Sequence, residues 1–224
     1  MTTSDNAGDA YREGLEQDRK QKEAQGIKNA RGGAAYALGG YRALDTYRMD
    51  KLKTTDANRE AIGAADMFDP TKDNLYFYGP VGCGKSHIAV AGIYQWSENN
   101  KKDDTNGIIW RNSKTVKPSA LGREIRSAGS ANGETEIIER LRESKILIID
   151  DLGVEKDSEF MVNILYEIID WRYMNMPGGL IVTSNLSLGA LSKKLSDDRI
   201  PSRLRQMCKG FNLKGEKDYR VQSK

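Results

Sequence analysis

The run Gly79-Pro80-Val81-Gly82-Cys83-Gly84-Lys85-Ser86 carries glycines, a lysine and a hydroxyl at the spacing G-x-x-x-x-G-K-[ST]. Residues of these types in this order suit the binding of a nucleoside triphosphate. The glycines let backbone N–H groups close around phosphate oxygens, and a helix starting at Lys85 would aim its positive N-terminus at them. Lys85 would bring an ammonium group to the β- and γ-phosphates, and Ser86 a hydroxyl to Mg²⁺. Cys83 is small enough for such a loop. His87, the sole histidine, follows on the helix as the last residue of the candidate ATP-binding segment, in a packing or supporting role.

Two acids could complete this chemistry. Asp150 and Asp151 end the apolar run Ile146-Leu-Ile-Ile149, and open α/β sheets bind ligands at the C-terminal ends of their strands. Asp150 is placed to hold Mg²⁺ through water, and Asp151 to orient or deprotonate the attacking water. Two carboxylates side by side repel unless a cation lies between them and the phosphates, as a metal nucleotide would supply. A further strand, Leu180-Ile-Val182, runs through Thr183 into Ser184-Asn185. The Asn185 amide could hydrogen-bond the γ-phosphate or the lytic water, although Ser-Asn also suits a plain turn.

These groups must be positioned by an alternation of strands and helices. The apolar segments 75–78, 108–110, 146–149, 180–182 and 211–213 read as strands. Helical patterning is expected over 56–68, from 85 to about 96, over 134–143 and over 158–173, where Phe160, Met161, Ile164, Leu165, Ile168 and Ile169 recur at helical spacing. Such alternation gives right-handed βαβ crossovers and a doubly wound α/β fold with a parallel sheet between helices. Residues 1–40 form a polar N-terminal arm, partner-binding or disordered, and residues 41–224 the ATPase domain.

Composition narrows the class. The 224 residues are 30% charged and contain no apolar run near the ~20 residues of a membrane helix. The N-terminus has neither a basic start nor an apolar stretch, so a cytoplasmic protein without a membrane partner is expected. Cys83 and Cys208 form neither a metal-ligand spacing nor a disulfide framework. The tail from Lys193 holds ten Lys/Arg against four Asp/Glu, and a second basic stretch comprises Arg111, Lys114, Lys117, Arg123 and Arg126. Such clusters either neutralise phosphates or form a solvated face.

Taken in order, several segments resemble the bacterial DnaC/DnaI helicase loaders and the related IstB transposition helpers, a branch of the AAA+ ATPases. They are Tyr41–Tyr47, Asn74–Ala89, Ile148–Gly153, Leu165–Tyr173, Thr183–Leu186, Asp198–Leu204 and Asp218–Arg220. The resemblance implies a P-loop AAA+ core with a five-stranded parallel sheet. The short stretch after the strand 180–182 leaves room only for a reduced or absent helical lid. It implies an ATPase working as a homo-oligomer, in which a neighbour completes each site. Asn185 then matches the first sensor, and Arg203 the arginine finger that reaches the adjacent γ-phosphate, with Arg199 as the alternative. Arg220 matches a nucleotide-sensing arginine. In the loader branch an extra helix after the second strand contacts single-stranded DNA, here roughly residues 114–128. Two departures stand out. Many members carry Glu where Asp151 stands, and the loader's helicase-binding domain is reduced here to a short arm without a zinc motif.

The leading expectation is a helicase loader in DNA replication, with single-stranded DNA and a replicative helicase as partners. The alternatives are a transposase-assisting ATPase on duplex DNA and an ATP-binding scaffold with negligible turnover. A small-molecule kinase would need an acceptor pocket and an arginine-bearing lid, and Asp150-Asp151 with Asn185 argues against it.

Overall fold

A computed structural model describes residues 16–17, 47–100, 113–153, 159–176 and 178–214. Five strands, β1 (Asn74–Tyr78), β2 (Ser113–Val116), β3 (Ile146–Leu152), β4 (Leu180–Ser184) and β5 (Lys209–Asn212), form one sheet in the order β2-β3-β4-β1-β5. Every pairing is parallel. The helices are α1 (Arg59–Asp66), α2 (Lys85–Asn99), α3 (Pro118–Ala128), α4 (Ala131–Arg142), α5 (Glu159–Asn175), α6 (Leu188–Leu195) and α7 (Arg199–Met207).

Side chains of a strand alternate between its faces, and a sheet covered on both faces needs apolar residues at every position. β1, β3 and β4 follow that rule except at Asn74, which opens β1, and at Asp150, Asp151, Thr183 and Ser184 toward the C-terminal ends of β3 and β4. Leu75, Phe77, Ile146, Ile148 and Ile181 pack with Ala61 and Ala65 of α1 and with Ile88, Ile93 and Trp96 of α2. Tyr76, Leu147, Ile149, Leu180 and Val182 pack on the other side with α3 to α7, through residues such as Leu121, Ile138, Leu165, Leu191 and Leu204. α6 and α7, in the described segment after β4, belong to this second core.

The second strand differs from the expectation. Residues 108–110 lie outside the described residues, and β2 is Ser113–Val116, which the sequence reading gave to the basic helix. The β-branched Thr115 and Val116 favour the pleated edge. Pro118 then starts α3, since proline presets a helical φ and loses no hydrogen bond at the first position. The residue before a proline is driven out of the helical region, and Lys117 is extended, with φ −102° and ψ 134°. α4 begins three residues ahead of the expected Glu134, because the Ser130 hydroxyl accepts from Gly133 N (3.2 Å) and caps it.

The opposite end of the sheet is tied by a buried arginine. Arg172 on α5 donates to the carbonyls of Ser144 (2.6 Å), Arg142 (3.0 Å) and Gly178 (3.3 Å). It thereby joins the turn before β3 to the turn before β4. Burial pulls its pKa down to about 10, which still leaves it charged near neutrality.

Candidate functional site

The phosphate loop leaves β1 and runs into α2. A Cβ on Gly79 would stand 2.3 Å from the Leu213 carbonyl oxygen, so only glycine fits beside the chain leaving β5. Gly84 caps α2 at φ +93°, in the left-handed region that glycine enters without strain. Pro80 and Val81 form the exposed rim, while Gly82 and Cys83 are buried beneath it. The Lys85 ammonium is buried and donates to the carbonyls of Gly79 (2.9 Å) and Pro80 (2.7 Å). It is thus held over the loop whose backbone would cradle phosphate.

The carboxylate pair stands across from it. Asp150 is fully buried, and its Oδ1 accepts from Ser86 Oγ (2.6 Å) and Thr183 Oγ1 (2.7 Å). Three neighbouring strand ends therefore meet at one carboxylate: β1 through the loop, β3 and β4. Directly after it the β3–β4 register shifts between Ile149 and Leu152. At that bulge Asp151 takes φ +62°, and its backbone N donates to Thr183 Oγ1 (3.0 Å). Aspartate enters the left-handed region more readily than longer side chains do, which gives Asp a local advantage over Glu at this position.

Lys117 closes the cluster. Its Nζ lies 3.2 Å from Asp150 Oδ2 and 3.3 Å from Asp151 Oδ2. Partial burial alone would lower its pKa. The charge of and hydrogen bond to Asp150, then those of Asp151, outweigh that and hold the ammonium above the usual lysine range. The sequence reading had put Lys117 among nucleic-acid contacts. Because α3 starts one residue later, Lys117 instead faces the carboxylates.

Of the other candidates, His87 donates from Nε2 to the Arg48 carbonyl (2.9 Å) and meets the Tyr47 ring edge-on. Burial lowers its pKa despite that hydrogen bond, so it is neutral near pH 7 and joins the segment before α1 to the start of α2. Asn185 is partly exposed directly after β4. Arg203 Nε donates to Asp170 Oδ1 (2.6 Å), and its guanidinium lies 4.6 Å from the Tyr173 ring centroid. Arg199 pairs with Asp197 and Asn163 beside Tyr166. Both arginines therefore belong to the α5–α7 face rather than to this chain's phosphate loop. Arg220 lies outside the described residues. Sequence reasoning missed Thr183 and Lys117 as site residues. The one signal for Thr183 was a hydroxyl directly after the apolar run Leu180–Val182.

The residues suit Mg²⁺. Among the described residues no group of three or more His, Cys, Asp or Glu could enclose a metal. A single hydroxyl and a buried carboxylate, whose Oδ2 meets the Lys117 ammonium at 3.2 Å and no other donor, instead match an ion that keeps its waters and takes phosphate ligands. Ser86 and Asp150 would hold it. Lys85→Ala is expected to weaken Mg·ATP binding by roughly 10²-fold, the scale lost when a buried charged hydrogen-bond partner is removed. Calorimetry checks this, and equal affinity would move the phosphate site elsewhere.

Comparison with known proteins bears on this arrangement. The family model of IstB-like ATP binding proteins matches residues 15–224. An ATP-binding protein of insertion sequence IS5376 from Geobacillus stearothermophilus is 29% identical over 192 residues, which cover 82% of this chain and 69% of that protein. The replicative helicase loader DnaC of Escherichia coli K12 is 25% identical over 164 residues, 73% of this chain. That match spans 62% of DnaC, less than two thirds of its length. Among solved structures, a DnaC helicase loader superposes with a TM-score of 0.62 at 23% identity, covering 75% of this chain and 97% of that one. AMPPCP-bound DnaA from Aquifex aeolicus gives 0.60 at 16% identity, covering 78% and 52%. These likenesses establish a P-loop AAA+ fold. Among the described residues no helix is long and apolar enough to cross a membrane.

Proposed function

The chain belongs to the IstB-like ATP-binding protein family, and on that premise we propose that it is a Mg²⁺-dependent ATPase that acts as an oligomer and delivers a replicative helicase to single-stranded DNA. The observation that carries the ATPase reading is the convergence of Lys85, Ser86, Asp150 and Thr183 at adjacent strand ends. Backbone N–H groups and Lys85 bind and orient the triphosphate. Ser86 and Asp150 hold Mg²⁺, which when bound neutralises charge that builds on the phosphates. Asp151 orients the attacking water and takes its proton, and Asn185 hydrogen-bonds the γ-phosphate or that water. Arg203, on a partly exposed face, acts in the site of an adjacent copy.

The DNA reading is supported by α3. Leu121 and Ile125 bury one side of that helix, while Arg123 and Arg126 are exposed on it. Replacing both arginines with Ala is expected to reduce the log–log salt slope of single-stranded DNA binding by about 1.4, near 0.7 for each lost phosphate contact. Anisotropy titrations at several salt concentrations measure this, and an unchanged slope would make the helix face a solvated one. A second reading, a transposase-assisting ATPase on duplex DNA, is favoured by the 29% identity to the insertion-sequence protein. Pull-down against a hexameric helicase and against a transposase, with ATPase rates on single- and double-stranded DNA, separates the two.

A further inference from the structure

Lys117 is the least expected member of the carboxylate cluster. It precedes α3 in sequence, yet its ammonium reaches both acids at the end of β3, at 3.2 and 3.3 Å. Those distances match charge-assisted pairing to each carboxylate. Asp150 uses its two oxygens differently. Oδ1 is saturated by the hydroxyls of Ser86 and Thr183, whereas Oδ2 is buried, makes no hydrogen bond of good geometry and faces Lys117. The pair therefore already has a cation of its own. The Lys117 backbone is held extended by the proline that follows, so its side chain leaves from a defined backbone position.

We propose that Lys117 is a resident counter-cation of the Asp150–Asp151 pair and sets how much Mg²⁺ the site needs to bind nucleotide. The inference rests on the Mg·ATP reading above. Two consequences follow from Coulomb's law. A positive charge beside both carboxylates weakens their attraction for a second cation, so nucleotide binding demands more Mg²⁺ than the bare acids would. Without that charge the metal is attracted more strongly, while the buried Asp150 loses a partner whenever no metal is present. Lys117 is a positioning residue in this account: it acts on the metal through the two acids and need not touch substrate.

The test is a Mg²⁺ titration of the full chain at a fixed concentration of a non-hydrolysable ATP analogue, read by calorimetry or by fluorescence of a labelled analogue. Lys117→Met is expected to lower the Mg²⁺ midpoint about tenfold, since a unit charge at this range is worth at least that in a half-buried site and the partial exposure of Lys117 keeps the effect near the lower end. Lys117→Arg, which keeps the charge, should retain the wild-type midpoint. The thermal midpoint of the Met variant without nucleotide or metal should fall, and added Mg²⁺ with the analogue should restore most of it. If the Met variant does not fold, Lys117→Gln keeps a donor for the carboxylates while removing the charge, and its Mg²⁺ midpoint should fall likewise. An unchanged midpoint in the neutral variants overturns the proposal, and so does a raised one, which would instead make Lys117 a direct phosphate ligand. If wild-type protein fails to bind the analogue at any Mg²⁺ concentration, the ATP reading itself fails. Intact binding with an unmoved midpoint sinks the role of Lys117 alone.

Discussion

Arg203→Ala is expected to leave ATP binding to the single chain unchanged and to lower DNA-stimulated hydrolysis by about 10³-fold, the lower end of what an arginine supplied across an interface contributes in GTPases. Ile200 and Leu204 bury one side of α7, and Arg203 stands on a side where its side chain is 31% exposed. Asp170 engages Nε, which is one of five guanidinium donors. The terminal N–H groups can therefore still meet two phosphate oxygens in a planar fork. Tyr173 beneath the guanidinium orients that fork. Within this chain Arg203 contacts α5, so a catalytic role requires a second copy. Mixing Arg203→Ala with Lys85→Ala tests this directly. Each variant lacks a different half of a composite site, and mixed interfaces contain some intact sites, so activity should partly return. Mixed oligomers that form by mass measurement and stay inactive would remove Arg203 from the reaction.

Asp151→Asn is expected to keep Mg·ATP bound and to lower single-turnover hydrolysis by about 10²–10⁴-fold, the usual worth of a general base. The substitution gives up the charge that pairs with Lys117 at 3.3 Å but leaves the backbone undisturbed. Asparagine tolerates the left-handed φ of this bulge as aspartate does. The bond from the backbone N to Thr183 does not depend on the side chain. Packing and bulge should persist, and at saturating Mg·ATP the loss in rate should fall on proton transfer. Phosphate release under single-turnover conditions separates this from slow product release. An unchanged rate would assign the water to another residue.

The fold was legible where local pattern and tertiary demand coincide. Strands β1, β3 and β4 are apolar at nearly every position because helices cover both sheet faces, and α5 repeats its apolar residues at helical spacing because one stripe meets the sheet. The second strand was placed elsewhere. Its short polar run Ser113–Val116 carries no burial pattern of its own and lies at the sheet edge, beside β3 alone. Pro118 was the available sign that the helix begins only there.

By itself the sequence determined the phosphate loop, the acids that close β3 and the alternating order of elements. Each is written in residues that are neighbours along the chain, where spacing and chemistry are read together. The tertiary structure alone decided which distant groups meet. Ser86 reaches Asp150 across 64 residues, Thr183 across 33, and Lys117 reaches Asp151 across 34. Those encounters depend on β2, β3, β4 and β1 lying side by side, and strand adjacency is settled by packing of the whole sheet, which no local spacing records. The same holds for Lys117, whose charge reads as a surface feature in the sequence. It became part of the site because Pro118 ends the extended segment at Lys117, whose ammonium reaches both carboxylates.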